Sequence, residues 1–426
     1  MNPVYLVSAV RTPIGKFGGA LADVPAADLG VLTVRAALER AFGELPAERM
    51  PIEKPDWSTI PRFSRDAAAA TRTTRYRVDE VIVGNARPAG VGPNLARQIA
   101  WRAGLGDDVP AFTVNMACAS GLRAILLGWQ QILLGEAEIV VAAGAESMSR
   151  VPYLAEARWG FKLGHQPLVD SMYRDGLFCQ ISKMIMGETA EVLTRHYQIS
   201  REEQDAYALE SQQRAARAMA EGRFGAELIP VVRSDAKGRE TRCEQDEHVR
   251  PDTSPESLRK LAPVFAKDGS ITAGNASGIT DGAAAVVLVS EAKLRELKLV
   301  PLARIVDATV AAVDPRIMGV GPVPAVEKLV QRTGWKLADY DAVELNEAFA
   351  AQVLACDREL HFDRARMNPN GGAIALGHPI GCTGVRIVTT LVHELRGTAA
   401  RKPGRRGLAT LCVSGGLGAA LALETC

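Results

Sequence analysis

Two uninterrupted apolar runs, Glu138–Ala143 (EIVVAA) and Ala283–Val289 (AAAVVLV), constrain the fold more than any other feature of this chain. A strand with one wet face alternates apolar and polar residues, so a run without alternation belongs to a sheet covered on both faces. Strands are also read at Val4–Val10, Val78–Val83, Ala342–Leu345 and Leu408–Val413. Helical periodicity separates them over Ala27–Phe42, Asn94–Ala103 and Leu122–Leu134. Strands alternating with helices predict an α/β fold, and 426 residues suit two domain-sized halves.

The pattern divides the chain. Residues 1–150 read as a first half, interrupted at 44–77 by a stretch with four prolines (Pro46, Pro51, Pro55, Pro61) and mixed charge, read as an irregular surface insertion. From 151 to 276 buried-strand runs are scarce and Gly, Pro, Met and charge rise, which suggests a lid or substrate-holding excursion from the sheet. One helix is signalled inside it by the capping box of Ser200 and Glu203, with Gly222 as its stop. Residues 277–300 return to the first half, and 301–426 form the second. Each half carries a cysteine beside small residues at a strand end (Cys118, Cys412), a hint of duplication without a residue-level repeat.

Composition excludes more than it selects. A formal net charge of +1 gives no reason to expect a nucleic-acid or polyanion partner. The seven cysteines are scattered, with no C-x-x-C pair and no zinc spacing, which suits a reducing compartment better than a disulfide framework. The apolar run at the N-terminus is short for a signal peptide, and no uninterrupted run is long enough to span a membrane, so a cytoplasmic enzyme is expected. No Rossmann glycine fingerprint follows a strand, and there is no Walker loop.

Four stretches can carry chemistry. Ala111–Ala124 (AFTVNMACASGLRA) reads as strand, tight turn and helix, with Cys118 at the helix start, where free N–H groups and the dipole favour a thiolate. A cysteine is also often a small buried hydrophobe, and both readings stand on this stretch alone. Asn368–Arg386 (NPNGGAIALGHPIGCTGVR) packs glycines around His378, allowing close backbone approach to a ligand and framing a candidate base. Leu411–Ala419 (LCVSGGLGA) ends a strand at Cys412 and turns through glycines whose N–H groups could face an oxyanion. In NEAFA, Asn346 could be a helix cap or a water-holding amide.

Taken together, the Cys118 turn, NEAFA, GGAIALGHPIG and the Cys412-glycine turn resemble the thiolase family, as do RTPIGKFGG, AGAESMS, MGETAE and AGNASGITDGAAA in their order along nearly the whole chain. The resemblance is nearest to acetoacetyl-CoA thiolases (acetyl-CoA acetyltransferases), with the broader 3-ketoacyl-CoA thiolases of fatty-acid β-oxidation as the alternative. It implies a thiolase-like fold: two similar mixed-sheet halves in an α-β-α-β-α layering, with the inserted subdomain over the site. It implies reversible, ping-pong acyl transfer through a cysteine acyl-enzyme, with coenzyme A and acetyl-CoA as substrates and no metal or redox cofactor demanded. By resemblance Cys118 is the nucleophile, His378 its activator and a holder of the thioester oxygen, and Cys412 the acid/base at the α-carbon. Asn346 holds a water that completes one oxyanion hole, and the N–H groups of Cys118 and Ser414 form the other. Arg250, Ser257 and Ser277 match coenzyme A contacts, Met186 and Phe349 an acyl pocket, and a homodimer or homotetramer is implied.

The chain departs from the family pattern in places. Ser414 stands where many relatives have glycine, Cys382 where a small residue is usual, and Ile185 where acetoacetyl-specific relatives usually have His. The last departure makes longer 3-ketoacyl substrates plausible. A decarboxylating ketoacyl-synthase-type enzyme would be expected to use a second His where this chain has Cys412. A non-catalytic acyl-CoA-binding relative would not be expected to keep Cys118, His378 and Cys412 together.

Overall fold

In the computed structural model, which describes residues 2–51, 74–234, 238–397 and 403–426, the continuous apolar runs become the middle of one sheet. Its strands are β1 (Val4–Arg11), β2 (Glu80–Gly84), β3 (Ala111–Val114), β4 (Ile139–Ser147), β5 (Thr280–Ser290), β6 (Ala303–Ala312), β7 (Ala342–Leu345), β8 (Arg406–Val413) and β9 (Leu417–Thr425). They lie in the order β7-β8-β9-β6-β1-β5-β4-β2-β3, with Gly15–Lys16 pairing β5. Strands β4 and β5 are buried at every position, which is why neither alternates. Both run longer than their apolar cores, taking in Glu146, Ser147, Thr280 and Asp281.

The two halves share a topology. In β1-β5-β4-β2 the pairings are antiparallel, antiparallel and parallel, and β6-β9-β8-β7 repeats that series. The halves join where β1 pairs β6 from Val4↔Ile305 to Leu6↔Ala303. The longer helices are α1 (Ala26–Phe42), α2 (Leu95–Arg102), α3 (Ser120–Leu134), α4 (Met186–His196), α5 (Arg201–Ala220), α6 (Pro322–Thr333), α7 (Ala350–Leu360) and α8 (Ile380–Arg396). Helices α3 and α8 share one apolar cluster with inward residues of both half-sheets. Helices α1 and α2 cover the outer face of the first half, and α6 and α7 that of the second. The chain therefore has the layered α-β-α-β-α architecture.

The duplication does not pair the two strand-end cysteines. Strand β3, parallel to β2, leads through Cys118 into α3. In the second half, Met367 makes a parallel bridge to Val343 of β7 and leads through His378 into α8. Cys118 and His378 are thus the equivalent positions, while Cys412 lies on β8, the counterpart of β4.

The stretch Ala117–Leu134 is long and apolar enough to cross a membrane by length and average composition, although Arg123, Gln130 and Gln131 interrupt it. It forms the core helix α3, whose apolar residues pack between the half-sheets. The excursion holds α5 from Arg201 after its Ser200–Glu203 capping box, as the signals require. It also holds α4, which short apolar spacing and Gly187 concealed, and three small hairpins. It is tied to the end of β1 by Arg11, fully buried between Asp246 (2.7 and 2.9 Å) and Glu227 (2.7 Å). Of the 44–77 insertion, residues 52–73 lie outside the described residues, and 44–51 carry no regular element.

Candidate active site

The turn that presents Cys118 is built by its neighbours' side chains. Ala117 takes φ +44°, a strained conformation for a residue with a Cβ, and Asn115 Oδ1 accepts its N–H at 2.9 Å. Ser120 Oγ accepts the Met116 N–H at 2.9 Å and donates to Ala117 O at 2.7 Å. Cys118 sits in this single turn just ahead of α3. The N–H groups of Ser414 and of Cys118 itself face its sulfur and, with Arg87, pull the thiol down. Burial is the larger effect, and the thiol ends above its ordinary value. The lowered thiol expected from the helix start is therefore corrected: taking a thiolate out of water costs more than the amides and dipole return.

His378 lies at the matching start of α8. Gly377 before it has φ +102°, and a Cβ there would overlap Thr280. The His378 Nδ1 is 2.6 Å from Thr383 Oγ1, which donates its own hydrogen to Pro379 O at 3.0 Å. Thr383 must then accept from Nδ1–H, which leaves Nε2 as the bare, basic nitrogen, buried and without a protein partner. Burial, with the charges of Arg386 and Arg87, depresses this imidazole to about 3. It is neutral at any ordinary pH.

Cys412 is buried on β8, and burial pushes its thiol well up, with the charge of Cys118 adding to the shift, so the two sulfurs feel one another. Beyond Ser414 the turn continues through Gly415 (φ +89°) and Gly416 (φ +84°). Cys118, His378, Cys412 and Ser414 share the wall of one cavity of about 240 Å³ with Ser277, Ile185, Met186 and Phe349. Asn346 does not itself line the cavity but lies just ahead of Ala348 and Phe349, which do; both polar atoms of its amide are buried without a partner, and it caps no helix. Arg250 and Ser257 do not line the cavity. Arg250 borders a separate depression with Lys16 and His248, which meets the cavity wall through Ile279. Ser257 closes a local turn, its Oγ donating to Ser254 O at 2.8 Å. Cys382 is buried in the central cluster with its thiol pushed up to about 12 by burial, a packing residue.

Two thiols and a bare imidazole nitrogen in one cavity wall, with two amides converging on one of the sulfurs, can together take up an acyl group and handle a second proton. The thiolase N-terminal domain matches residues 63–292 and the thiolase C-terminal domain residues 299–425. The chain belongs to the thiolase family. An acetyl-CoA acetyltransferase of Pseudomonas aeruginosa is 47% identical to it over 99% of each chain. Its fold is similar to the crystal structure of the Bacillus anthracis acetyl-CoA acetyltransferase (TM-score 0.88, 42% identity, 100% of this chain and 99% of that one). Human mitochondrial 3-ketoacyl-CoA thiolase in complex with CoA is also similar (TM-score 0.87, 41% identity, 100% and 98% covered). As a thiolase the chain is an acyltransferase.

Three residues of this thiolase site escaped the sequence reading. Thr383 orients His378, and the i+5 spacing within GHPIGCT was its only signal. Glu146, inside AGAESMS, accepts from Asn85 Nδ2 (2.7 Å) and from the N–H groups of Ala86 (2.9 Å), Arg87 (3.1 Å) and Gly381 (2.7 Å). It thereby fastens the segment after β2 to the start of α8. Arg87 itself, in a loop rich in Gly and Pro, carries no motif that marks it in sequence, and it lines the cavity.

Proposed function

We propose that this thiolase makes and cleaves 3-ketoacyl-CoA thioesters by a two-step acyl transfer through Cys118. His378 Nε2 takes the Cys118 proton as the sulfur attacks the thioester carbonyl, the oxyanion lies between the N–H groups of Cys118 and Ser414, and coenzyme A departs as the thiol. Cys412 then removes the α-proton of the second thioester in the condensing direction and returns it in the cleaving direction. The buried amide of Asn346, with His378 Nε2, serves the second oxyanion through a water. The observation that carries this reading is the common wall shared by Cys118, His378, Cys412 and Ser414, with the two thiols close enough to perturb each other.

Met186, Phe349 and Ile185 form the acyl side of the cavity, and the apolar Ile185 supports acyl chains longer than acetyl. Ser277 serves the pantetheine arm, and Arg250 and Ser257, outside the cavity, serve the outer part of coenzyme A. The excursion over 151–276 acts as the holder of that cofactor-like substrate. Seven free thiols support a reducing, cytoplasmic setting. The half-exposed edge strand β3 and the exposed Tyr153, Trp159, Phe161 and Leu163 support a homodimer or homotetramer.

The test is intact-protein mass after mixing with acetyl-CoA. One acetyl adduct per chain is expected, absent in Cys118→Ala. Cys412→Ser is expected to acylate but to turn over at least about 100-fold more slowly. Normal turnover by Cys412→Ser removes its assigned role, and an adduct on Cys118→Ala removes the nucleophile's. Thiolysis of acetoacetyl-CoA against a six- to ten-carbon 3-ketoacyl-CoA ranks the chain lengths.

A further inference from the structure

A buried cation whose guanidinium touches no carboxylate among the described residues stands in the cavity wall. Arg87 follows β2, is 6% exposed and lines the same cavity as Cys118 and His378. Its charge reaches both, pulling the Cys118 thiol down and opposing protonation of His378. Nη1 donates to Ala86 O at 3.0 Å, but Nε is buried and has no partner. Among the described residues no carboxylate forms an ion pair with it. Glu146 is near enough to feel it, yet both Glu146 oxygens are already spent on Asn85, Ala86, Gly381 and the Arg87 backbone. The loop over the guanidinium passes so close that a Cβ at Gly176 would overlap it. The neighbouring walls are apolar, formed by Met148, Leu177, Met186, Phe349 and Ile380.

An unpaired guanidinium is costly to bury, and the cost is recovered when a ligand supplies the anion. The candidates are few. A thioester oxygen is already served by the amides of Ser414 and Cys118, and the phosphates of coenzyme A suit an open surface rather than a 6% exposed group. What remains is the far end of the acyl chain. We propose that Arg87 makes this site selective for acyl groups ending in a carboxylate, so that its substrates include short dicarboxylic acyl-CoA thioesters and the 3-oxo dicarboxylic acyl-CoA formed from them. The planar fork of the guanidinium accepts such a carboxylate through paired N–H donors. The transfer itself is unchanged: the Cys118–acyl bond forms, the CoA–acyl bond breaks and the Cys118 proton leaves with coenzyme A. The inference rests on Cys118 being the acyl acceptor.

Matched thioesters test it. Succinyl-CoA and butyryl-CoA have the same chain length, as do glutaryl-CoA and pentanoyl-CoA, and each pair exchanges a carboxylate for a methyl. The rate of acyl-adduct formation on Cys118 is followed by intact mass. In the unmodified enzyme the charged member of at least one pair is expected to react about tenfold faster or more. Arg87→Leu is expected to shift that ratio about 100-fold toward the methyl-ended thioester, and Arg87→Lys to keep part of the preference. The ratio compares two substrates on one protein, so a general loss of folding or nucleophilicity cancels. Should Arg87→Leu fail to fold, the ratios of the unmodified enzyme and of Arg87→Lys decide the question. Methyl-ended thioesters reacting as fast in both pairs, or Arg87→Leu slowing both members equally, overturns the proposal. If acetyl-CoA acylates Cys118 while no charge preference exists, only the selectivity is wrong. If acetyl-CoA does not acylate Cys118, the thiolase mechanism fails and this inference falls with it.

Discussion

In its proposed role as a base, His378 is kept free of a proton by burial. With its imidazole held near 3, the neutral form persists at every pH above that value, so no loss of base accompanies a fall from pH 8 to pH 5. The acid limb of the acylation rate is therefore expected to be absent in that window, and a half-loss near pH 6.5 would reveal an ordinary, solvated imidazole instead. The tautomer depends on Thr383, which accepts from Nδ1–H only while its own hydrogen is committed to Pro379 O. Thr383→Val is expected to lower kcat by about 10- to 100-fold with little change in KM, and Thr383→Ser to restore most of it. A KM effect alone would mean that Thr383 shapes the pocket rather than the base. The thiols follow the same logic. Cys118 and Cys412 both lie above their ordinary values, so both rest as thiols, and the proposed attack by Cys118 requires loss of its proton at that moment rather than a stored thiolate.

Helices α3 and α8 bring the two halves of the site together, and glycines set how closely they cross. A Cβ at Gly121 of α3 would lie 2.8 Å from Gly381 O, and one at Gly384 of α8 would overlap the Leu122 backbone nitrogen. Gly384→Ala is thus expected to push α8 off α3, costing about 3 kcal/mol in urea unfolding and separating His378 from Cys118, so that activity falls with stability. An alanine variant of native stability and rate would show that the helices have slack. The glycine-rich run around His378 was read in sequence as room for a ligand. Gly377 meets that reading in part, through its positive φ, whereas Gly384 serves the helix crossing and Gly381 the close approach of Asn85 and Glu146, which no single sequence segment can reveal because the opposing surfaces lie more than 230 residues away. The long apolar strands and the order of the motifs were legible because each is local. Helix α4 was not, since its apolar positions are few and Gly187 interrupts them, the glycine being needed where Phe265 packs against it. Nor was the rise of the Cys118 thiol, because burial is a property of the assembled layers and the helix start is not.

At the scale of the whole molecule the sheet ends on β3, and that edge bears directly on the nucleophile. Val81 N–H donates to Pro110 O and Asn85 N–H to Val114 O, both at 3.1 Å, so Phe112 and Val114 turn their backbone toward β2. Ala111 and Thr113 turn theirs outward. Asn94 Nδ2 covers Ala111 O at 2.8 Å, but among the described residues nothing pairs the Thr113 backbone, and all four residues of β3 are half-exposed. An open edge of this kind is a template for another strand, and a second copy related by a two-fold axis presents the same edge to itself. The four-residue strand ends at Val114, and the side-chain-laced turn holding Cys118 begins at Asn115, so pairing across the axis would stiffen the turn that aims the sulfur. Light scattering is expected to size the protein at two chains or more. Thr113→Pro removes the outward N–H while leaving the ladder to β2 untouched, and is expected to shift the protein toward single chains with slower acylation of Cys118. A single-chain protein that acylates at the full rate would mean that the turn is rigid enough alone and that the edge is simply tolerated.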